Sequence, residues 1–152
     1  MGQQQLLLLV LGVIIVGIAV AVGINMFSSS AVDANRNSLS SDVTHLASKA
    51  QQHFKKPTTM GGGGNDFDGF TLGSLDQTNQ NGEFRVATTA PTSASKATTA
   101  PAAATANTAI ATADTDSLYI IGYGSEKGRD NTNLTMVYTL VTATSIEGEI
   151  LN

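Results

Sequence analysis

Few side chains in this sequence are placed to do chemistry. His45 and His53 stand eight residues apart, and Asp42 precedes His45 by three. A zinc site takes ligands at short, matched spacings, and this set does not have them. A histidine on a helix surface or in a packing seam accounts for both positions. Asp66 and Asp68 begin like a calcium loop whose later ligands do not follow. Glu126, Asp130 and Asn131 offer a second set of oxygen ligands, set against their ordinary role as solvated turn residues. Gly122-Tyr123-Gly124 starts like a dinucleotide-binding turn, but that turn needs a glycine where Lys127 stands and a helix after it. The run Gly61-Gly62-Gly63-Gly64 lacks the Gly-Lys-Ser/Thr ending of a phosphate loop. Serines are plentiful without a Gly-x-Ser-x-Gly elbow. With no cysteine, thiolate catalysis, disulfides and c-type haem attachment are excluded. The expectation is a protein that is not an enzyme, with no catalytic residue, no cofactor and no metal.

Charge narrows the partners. Lys and Arg number 8 against 12 Asp and Glu, a net charge of -4, and the first basic residue is Arg36. Binding nucleic acid needs a basic stripe that displaces counterions, so no nucleic-acid partner is expected. The chain of 152 residues suffices for one modest domain. Its apolar start and a Thr/Ala tract use much of that length and leave only a small core.

What remains to explain is that apolar start. Every residue from Leu6 to Ile24 is Leu, Val, Ile, Ala or Gly, a run of 19. That length spans a hydrocarbon core of about 30 Å. Fourteen of the 19 are Leu, Ile or Val, and their summed insertion free energy is roughly -6 kcal/mol. Nine are β-branched, which disfavours a helix in water, but in lipid the backbone must satisfy itself within the segment. A cleaved signal peptide fits poorly, because a basic n-region is missing and the run is too long. A single-pass anchor fits the length. A buried core helix would need a larger protein around it. The segment is therefore surrounded by lipid or by copies of itself. Gly17 with Ala21, and Ala19 with Gly23, are small-xxx-small pairs that let helices approach closely.

Past Asn25, with Ser28-Ser29-Ser30 as a point of bending, the helical period returns from Ala31 to Phe54. Val32, Leu39, Leu46 and His53 recur every seven residues, with Val43, Ala50 and Phe54 beside them. This is an apolar stripe on one face, opposite Asp33, Asn37, Ser41, Thr44 and Ser48. Pro57 and the glycines beyond it end the helix. A rod from Gln5 to Lys56 would be about 76 Å long, apolar all round in its first half and on one side in its second.

The C-terminal part reads as a small β head. Gly61 to Gly64 is expected to be a flexible crossing, after which Phe67, Phe70 and Leu72 anchor the chain to the helix. Asn81-Gly82 reads as a tight turn before a strand near Glu83 to Thr88. Ala87 to Asp116, rich in Ala, Thr and Ser, has little to bury and reads as a surface insertion, open equally to O-glycosylation and to remaining bare. Asn133-Leu134-Thr135 is a formal N-glycosylation sequon, read here as chance. Ser117 to Gly124 and Asn133 to Thr144 are strands, Gly124 to Thr132 the hairpin loop between them, and Ile146 to Leu151 a last edge strand. In the second strand Leu134, Met136, Tyr138 and Leu140 alternate with Thr135, Val137, Thr139 and Val141. One face of the sheet is expected to pack on the Val32 to Phe54 stripe.

The run Leu6 to Val20, the amphipathic Ala31 to Phe54 stretch and the β-rich C-terminus together resemble the type IV pilin family and its filament relatives. The resemblance covers the architecture of most of the chain, and at residue level about the first 27 positions. It implies an α+β fold, with residues 1–56 as a long N-terminal helix and 57–152 as a small antiparallel headgroup carrying the 87–116 insertion. It also implies assembly into an extracellular helical filament for adhesion or surface motility. The filament core would be formed by Leu6, Leu9, Val10, Val13, Ile14, Val16, Gly17, Ile18, Val20, Ala21 and Ile24. The helix would hold its head through Val32, Leu39, Val43, Leu46, Ala50 and Phe54. Partners would be further copies of the chain, an inner-membrane assembly machinery, and the membrane itself before assembly. Four departures stand out. Gln5 occupies the place where most bacterial members have glutamate, Met1-Gly2 carries no basic leader, no proline lies near the middle of the apolar run, and no disulfide loop can form. The alternative reading is a membrane-anchored exported protein or minor pseudopilin of a secretion system.

Overall fold

Between Gly23 and Pro57 the sequence contains neither glycine nor proline, and nothing in that interval interrupts a helical hydrogen-bond ladder. In the computed structural model, which describes residues 2–92, Thr99 and residues 116–151, helix α1 accordingly runs unbroken over Gly2–Lys55. Its 54 residues correspond to about 81 Å. The bend expected at Ser28-Ser29-Ser30 does not divide it. Within the helix, hydroxyls turn back on the backbone: Thr44 Oγ1 donates to the Ser40 carbonyl at 2.7 Å and Ser48 Oγ to the Thr44 carbonyl at 3.1 Å. This is how Ser and Thr are accommodated in a helix interior.

The glycine run is a cap rather than a flexible crossing. After a 3-10 turn over Thr58–Met60, the chain folds back on the helix end. Gly63 N–H donates to the His53 carbonyl at 2.9 Å, Gly64 N–H to Lys56 at 2.9 Å and Asn65 N–H to Phe54 at 2.8 Å. These are carbonyls that the last turn of any helix leaves without partners. Gly61 and Gly64 adopt φ of 76° and 65°, a left-handed backbone that glycine enters without a side-chain penalty. The cap leads directly to Phe67 and Phe70, both buried, with the Phe67 ring centroid 4.8 Å from that of Phe54.

Four strands follow: β1 (Gly82–Ala87), β2 (Ser117–Lys127), β3 (Leu134–Thr142) and β4 (Ile146–Ile150). They form one antiparallel sheet in the order β1-β2-β3-β4. The fold is α+β, a long N-terminal helix with a four-stranded sheet packed on its second half. The turn into β1 is drawn tight by the Asn79 side chain, whose Oδ1 accepts the Asn81 and Gly82 N–H groups at 2.8 and 3.1 Å. β2 continues to Lys127, so the hairpin loop begins three residues later than the polarity of Ser125-Glu126-Lys127 suggested. Most of the Thr/Ala tract expected as an insertion, residues 93–98 and 100–115, lies outside the described residues.

The sheet has two unlike faces. Toward the helix lie Phe84, Leu118, Ile120, Val137 and Val141, packed with Leu39, Val43, Leu46, Ala47, Ala50 and Phe54. Of the two alternating sets in β3, the Thr/Val set meets the helix, and Thr135 and Thr139 are buried with it. Short and β-branched side chains let the helix come close. A Cβ added at Gly122 would lie 2.9 Å from both Leu39 Cδ2 and Val43 Cγ2. On the far face Ile121, Tyr123 and Met136 form a second cluster, and the Arg85 guanidinium carbon stands 5.6 Å from the Tyr123 ring centroid. Burial pushes the Tyr123 phenol above its ordinary value of 10.0, and Arg85 partly offsets this.

Two outcomes are expected. Leu39→Ala lowers the unfolding free energy by about 2–5 kcal/mol, measured by denaturant titration of the detergent-solubilised chain. A neutral Tyr123 is favoured in the folded state, so its contribution is complete below pH 10.0 and is lost as pH rises through its higher folded value. Tyr123→Phe, which cannot ionise, should extend the alkaline limit of the circular-dichroism signal upward.

Candidate functional site

The helix meets two different surroundings along its length. Val32, Leu39, Val43, Leu46, Ala50 and Phe54 are buried, together with Asn35 and Ala47. Toward the N-terminus burial ceases. Leu6, Leu9, Val10, Val13, Ile14, Val16, Gly17, Ile18, Val20, Ala21 and Ile24 are all exposed. The large apolar side chains from Leu6 to Phe27 are between 48% (Leu11) and 79% (Phe27) exposed, and the glycines at 12, 17 and 23 have nothing within 4 Å of where a Cβ would be. This part of α1 is long and apolar enough to cross a membrane.

The magnitude makes this exposure decisive. Burying a Leu, Ile or Val side chain is worth about 1.5–3 kcal/mol. Over the fourteen between Leu6 and Ile24 that is about 20–40 kcal/mol, beyond the roughly 5–15 kcal/mol by which a whole domain is stable. The rod cannot rest in water. Lipid or protein covers it.

Where rod and head join, polar side chains fix the geometry. Asn35, Asp42 and Lys49 recur every seven residues beside the apolar stripe. Asn35 Nδ2 donates to the Asn81 carbonyl at 2.9 Å. Asp42 Oδ2 accepts the side-chain amides of Asn79 at 2.8 Å and Asn81 at 2.7 Å. Lys49 Nζ meets both carboxylate oxygens of Asp76 at 2.7 and 2.8 Å. On the other flank Gln51 Nε2 donates to the Thr142 carbonyl at 3.0 Å. The sequence reading missed this seam, because polar residues at helical spacing resemble a solvated face. Its signal was the shared seven-residue interval.

The β2–β3 hairpin reaches back along the rod. Between the pairs Tyr123↔Met136 and Lys127↔Leu134, β2 advances four residues while β3 advances two. Such a bulge bends and re-aims a strand. The tip beyond it is tightly held: Asp130 Oδ1 accepts the N–H groups of Thr132 and Asn133 at 3.0 and 2.9 Å, and Asp130 Oδ2 the Asn133 side-chain amide at 2.7 Å. Arg129 Nη2 reaches Asp33 Oδ1 on the helix at 3.3 Å. An open cleft of about 840 Å3 lies between tip and helix, bordered by Asn25, Ser28 and Ser29 on one side and Ser125, Glu126 and Lys127 on the other.

The residues weighed for metal chemistry are dispersed. His45 is exposed, whereas His53 is half-buried with Nε2 3.0 Å from the Asp68 carbonyl. Asp66 Oδ1 accepts the Asp68 N–H at 3.1 Å, and Asp130 serves its own turn. Among the described residues no group of three or more His, Asp or Glu could hold a metal ion. In the sequon the Asn133 amide is engaged by Asp130 and Thr135 is fully buried.

No known protein family, curated protein or solved structure matches the chain.

Asn35→Ala removes the bond to the Asn81 carbonyl and should cost about 1–3 kcal/mol. Amide hydrogen exchange should accelerate at residues 79–82 and 125–127 and stay unchanged at Val137 and Val141. Acceleration spread evenly over the sheet would show that Asn35 supports the whole core instead.

Proposed function

We propose that this chain is a structural subunit of a pilin-like filament, with no enzymatic activity. The observation that carries the proposal is the unbroken continuation of a head-bearing helix into a rod exposed on every side. A membrane anchor needs a span of this length, but it has no need for a rigid, uninterrupted connection between span and head. A polymer whose subunits stack their rods needs both.

In this reading the subunit waits in a membrane with Leu6 to Ile24 in the hydrocarbon and its head outside. Assembly machinery lifts it, and the rod exchanges lipid for the rods of neighbouring copies. Lipid tails are as apolar as leucine, so close packing at Gly17, Ala21 and Gly23 supplies the preference for protein over lipid. Once outside the membrane, loss of a subunit would return its rod to water, at the cost estimated above. Contacts between unlike surfaces that do not close into a ring give a helical polymer. The product would be an extracellular surface filament serving adhesion or motility.

Val16→Asp tests this. A carboxylate in the middle of the rod would have to be buried in an apolar core without a partner, which costs several kcal/mol. Electron microscopy of sheared cell-surface material should show filaments containing the original chain and none from the variant, while circular dichroism shows the variant's head still folded. Filaments that persist in the variant would remove the rod from the assembly mechanism. Recovery of the original chain only from detergent-solubilised membrane would favour the anchored, non-polymerising reading.

A further inference from the structure

The rod and the hairpin tip are at fixed heights relative to each other, and this has a consequence for the membrane-inserted state. Nineteen residues from Leu6 to Ile24 rise about 28 Å, close to the roughly 30 Å of a hydrocarbon core. With the run centred in the bilayer, Ile24 marks the hydrocarbon edge. The headgroup layer beyond it is about 5–8 Å deep on each side. Asn25 to Ser29 occupy about the first 8 Å of helix above Ile24. Of the helix residues that border the cleft, Asn25, Ser28 and Ser29 lie in that layer and Val32 about 12 Å above Ile24, and Ser125, Glu126, Lys127 and Arg129 border it from the hairpin. The tip is anchored at Asp33, about 14 Å above Ile24, and the cleft beneath it opens to headgroup depth at Asn25, Ser28 and Ser29.

Its chemistry suits that depth. No Lys or Arg precedes Arg36 on the rod, so among the described residues the hairpin's Lys127 and Arg129 are the cations that border the cleft. Arg129 pairs with Asp33 at 3.3 Å, and Asp33 also meets Arg36 at 3.7 Å. Lys127 enters none of the ion pairs among the described residues. Glu126 also borders the cleft, and the Asp130 carboxylate accepts hydrogen bonds from within its own turn. The serine hydroxyls at 28, 29 and 125 add neutral donors around the opening. On the exposed flank of the rod, Met26 and Phe27 stand 70% and 79% exposed at the same level, where apolar side chains enter the headgroup boundary.

We infer that in the membrane-inserted state the β2–β3 hairpin tip rests in the lipid headgroup layer, with Lys127 and the serines around the cleft holding a phospholipid phosphate. The inference rests on the inserted state described under the proposed function and identifies a second, polar contact with the same membrane. It gives the head a defined seat on the bilayer, which the subunit leaves when it is lifted.

The absence of native cysteine makes the test direct. Single variants Glu126→Cys, Leu75→Cys and Val16→Cys of the full chain, each carrying an environment-sensitive fluorophore, are reconstituted into phosphatidylethanolamine/phosphatidylglycerol vesicles. Lipids bearing a quencher at the headgroup or in the acyl chain report depth. Leu75 is 92% exposed and neighbours Asp76, whose partner Lys49 lies about 38 Å above Ile24 along the helix. The label at 126 should be quenched from the headgroup several-fold more than the label at 75, and the label at 16 from the acyl chain. Lys127→Glu in the Glu126→Cys background should cut the headgroup quenching several-fold. Equal responses at 126 and 75, with 16 in the hydrocarbon, would overturn the seat while leaving insertion intact. Unchanged quenching after Lys127→Glu would overturn the phosphate contact. A label at 16 that no acyl-chain quencher reaches would overturn insertion and the seat together, while the microscopy of the Val16→Asp variant tests polymerisation separately.

Discussion

One helix serving two environments is the constraint from which the rest of this structure follows. The half beyond Ala31 keeps its apolar groups on one stripe and hands them to a sheet. The half before it has no polar face to offer water. Because the backbone is continuous between them, whatever covers the rod also fixes the position of the head. The small sheet would be marginal alone, and the stripe from Val32 to Phe54 supplies much of its core. Head stability and rod placement are thus properties of a single element.

Polar contacts then set what hydrophobic contact leaves undetermined. A sheet can slide or rotate on a helical stripe at little cost, since apolar packing is non-directional. Asn35, Asp42 and Lys49 remove that freedom on one flank and Gln51 on the other, each through a named carbonyl, amide or carboxylate. Lys49 and Asp76 are only partly buried, so that pair contributes modestly to stability, and its role is to fix register.

How much of this was readable beforehand depended on which physical signal carried it. An apolar run of 19 residues has few alternatives, and a stripe repeating every seven residues identifies the packed face directly. The edges of β3 and β4 were found to within two residues because alternation is strict there. The far end of β2 was not, since Ser125-Glu126-Lys127 is polar and its pairing comes from a bulge that leaves no hydrophobic trace. Nor did alternation say which side of β3 faces the helix. Leu134, Met136 and Tyr138 are the more apolar set, but the closeness of the helix at Gly122 favours Thr135, Val137, Thr139 and Val141. Four consecutive glycines suggested freedom, whereas the Gly63 and Gly64 amides are bound to the helix end and those of Gly61 and Gly62 to the turn that follows it. Composition reports what a backbone is able to do, and only the hydrogen bonds report what it does.

The uninterrupted ladder from Gly2 to Lys55 also has a mechanical meaning. A pull along the helix axis meets no hinge, kink or linker through which it could be dissipated. The contacts joining helix and sheet are distributed from Asn35 to Phe54, about five turns, and lie side by side along the direction of such a pull. They bear it together in shear rather than opening one after another as a peeled strand would. A chain without a single disulfide can in this way resist tension through the number and parallel arrangement of weak contacts.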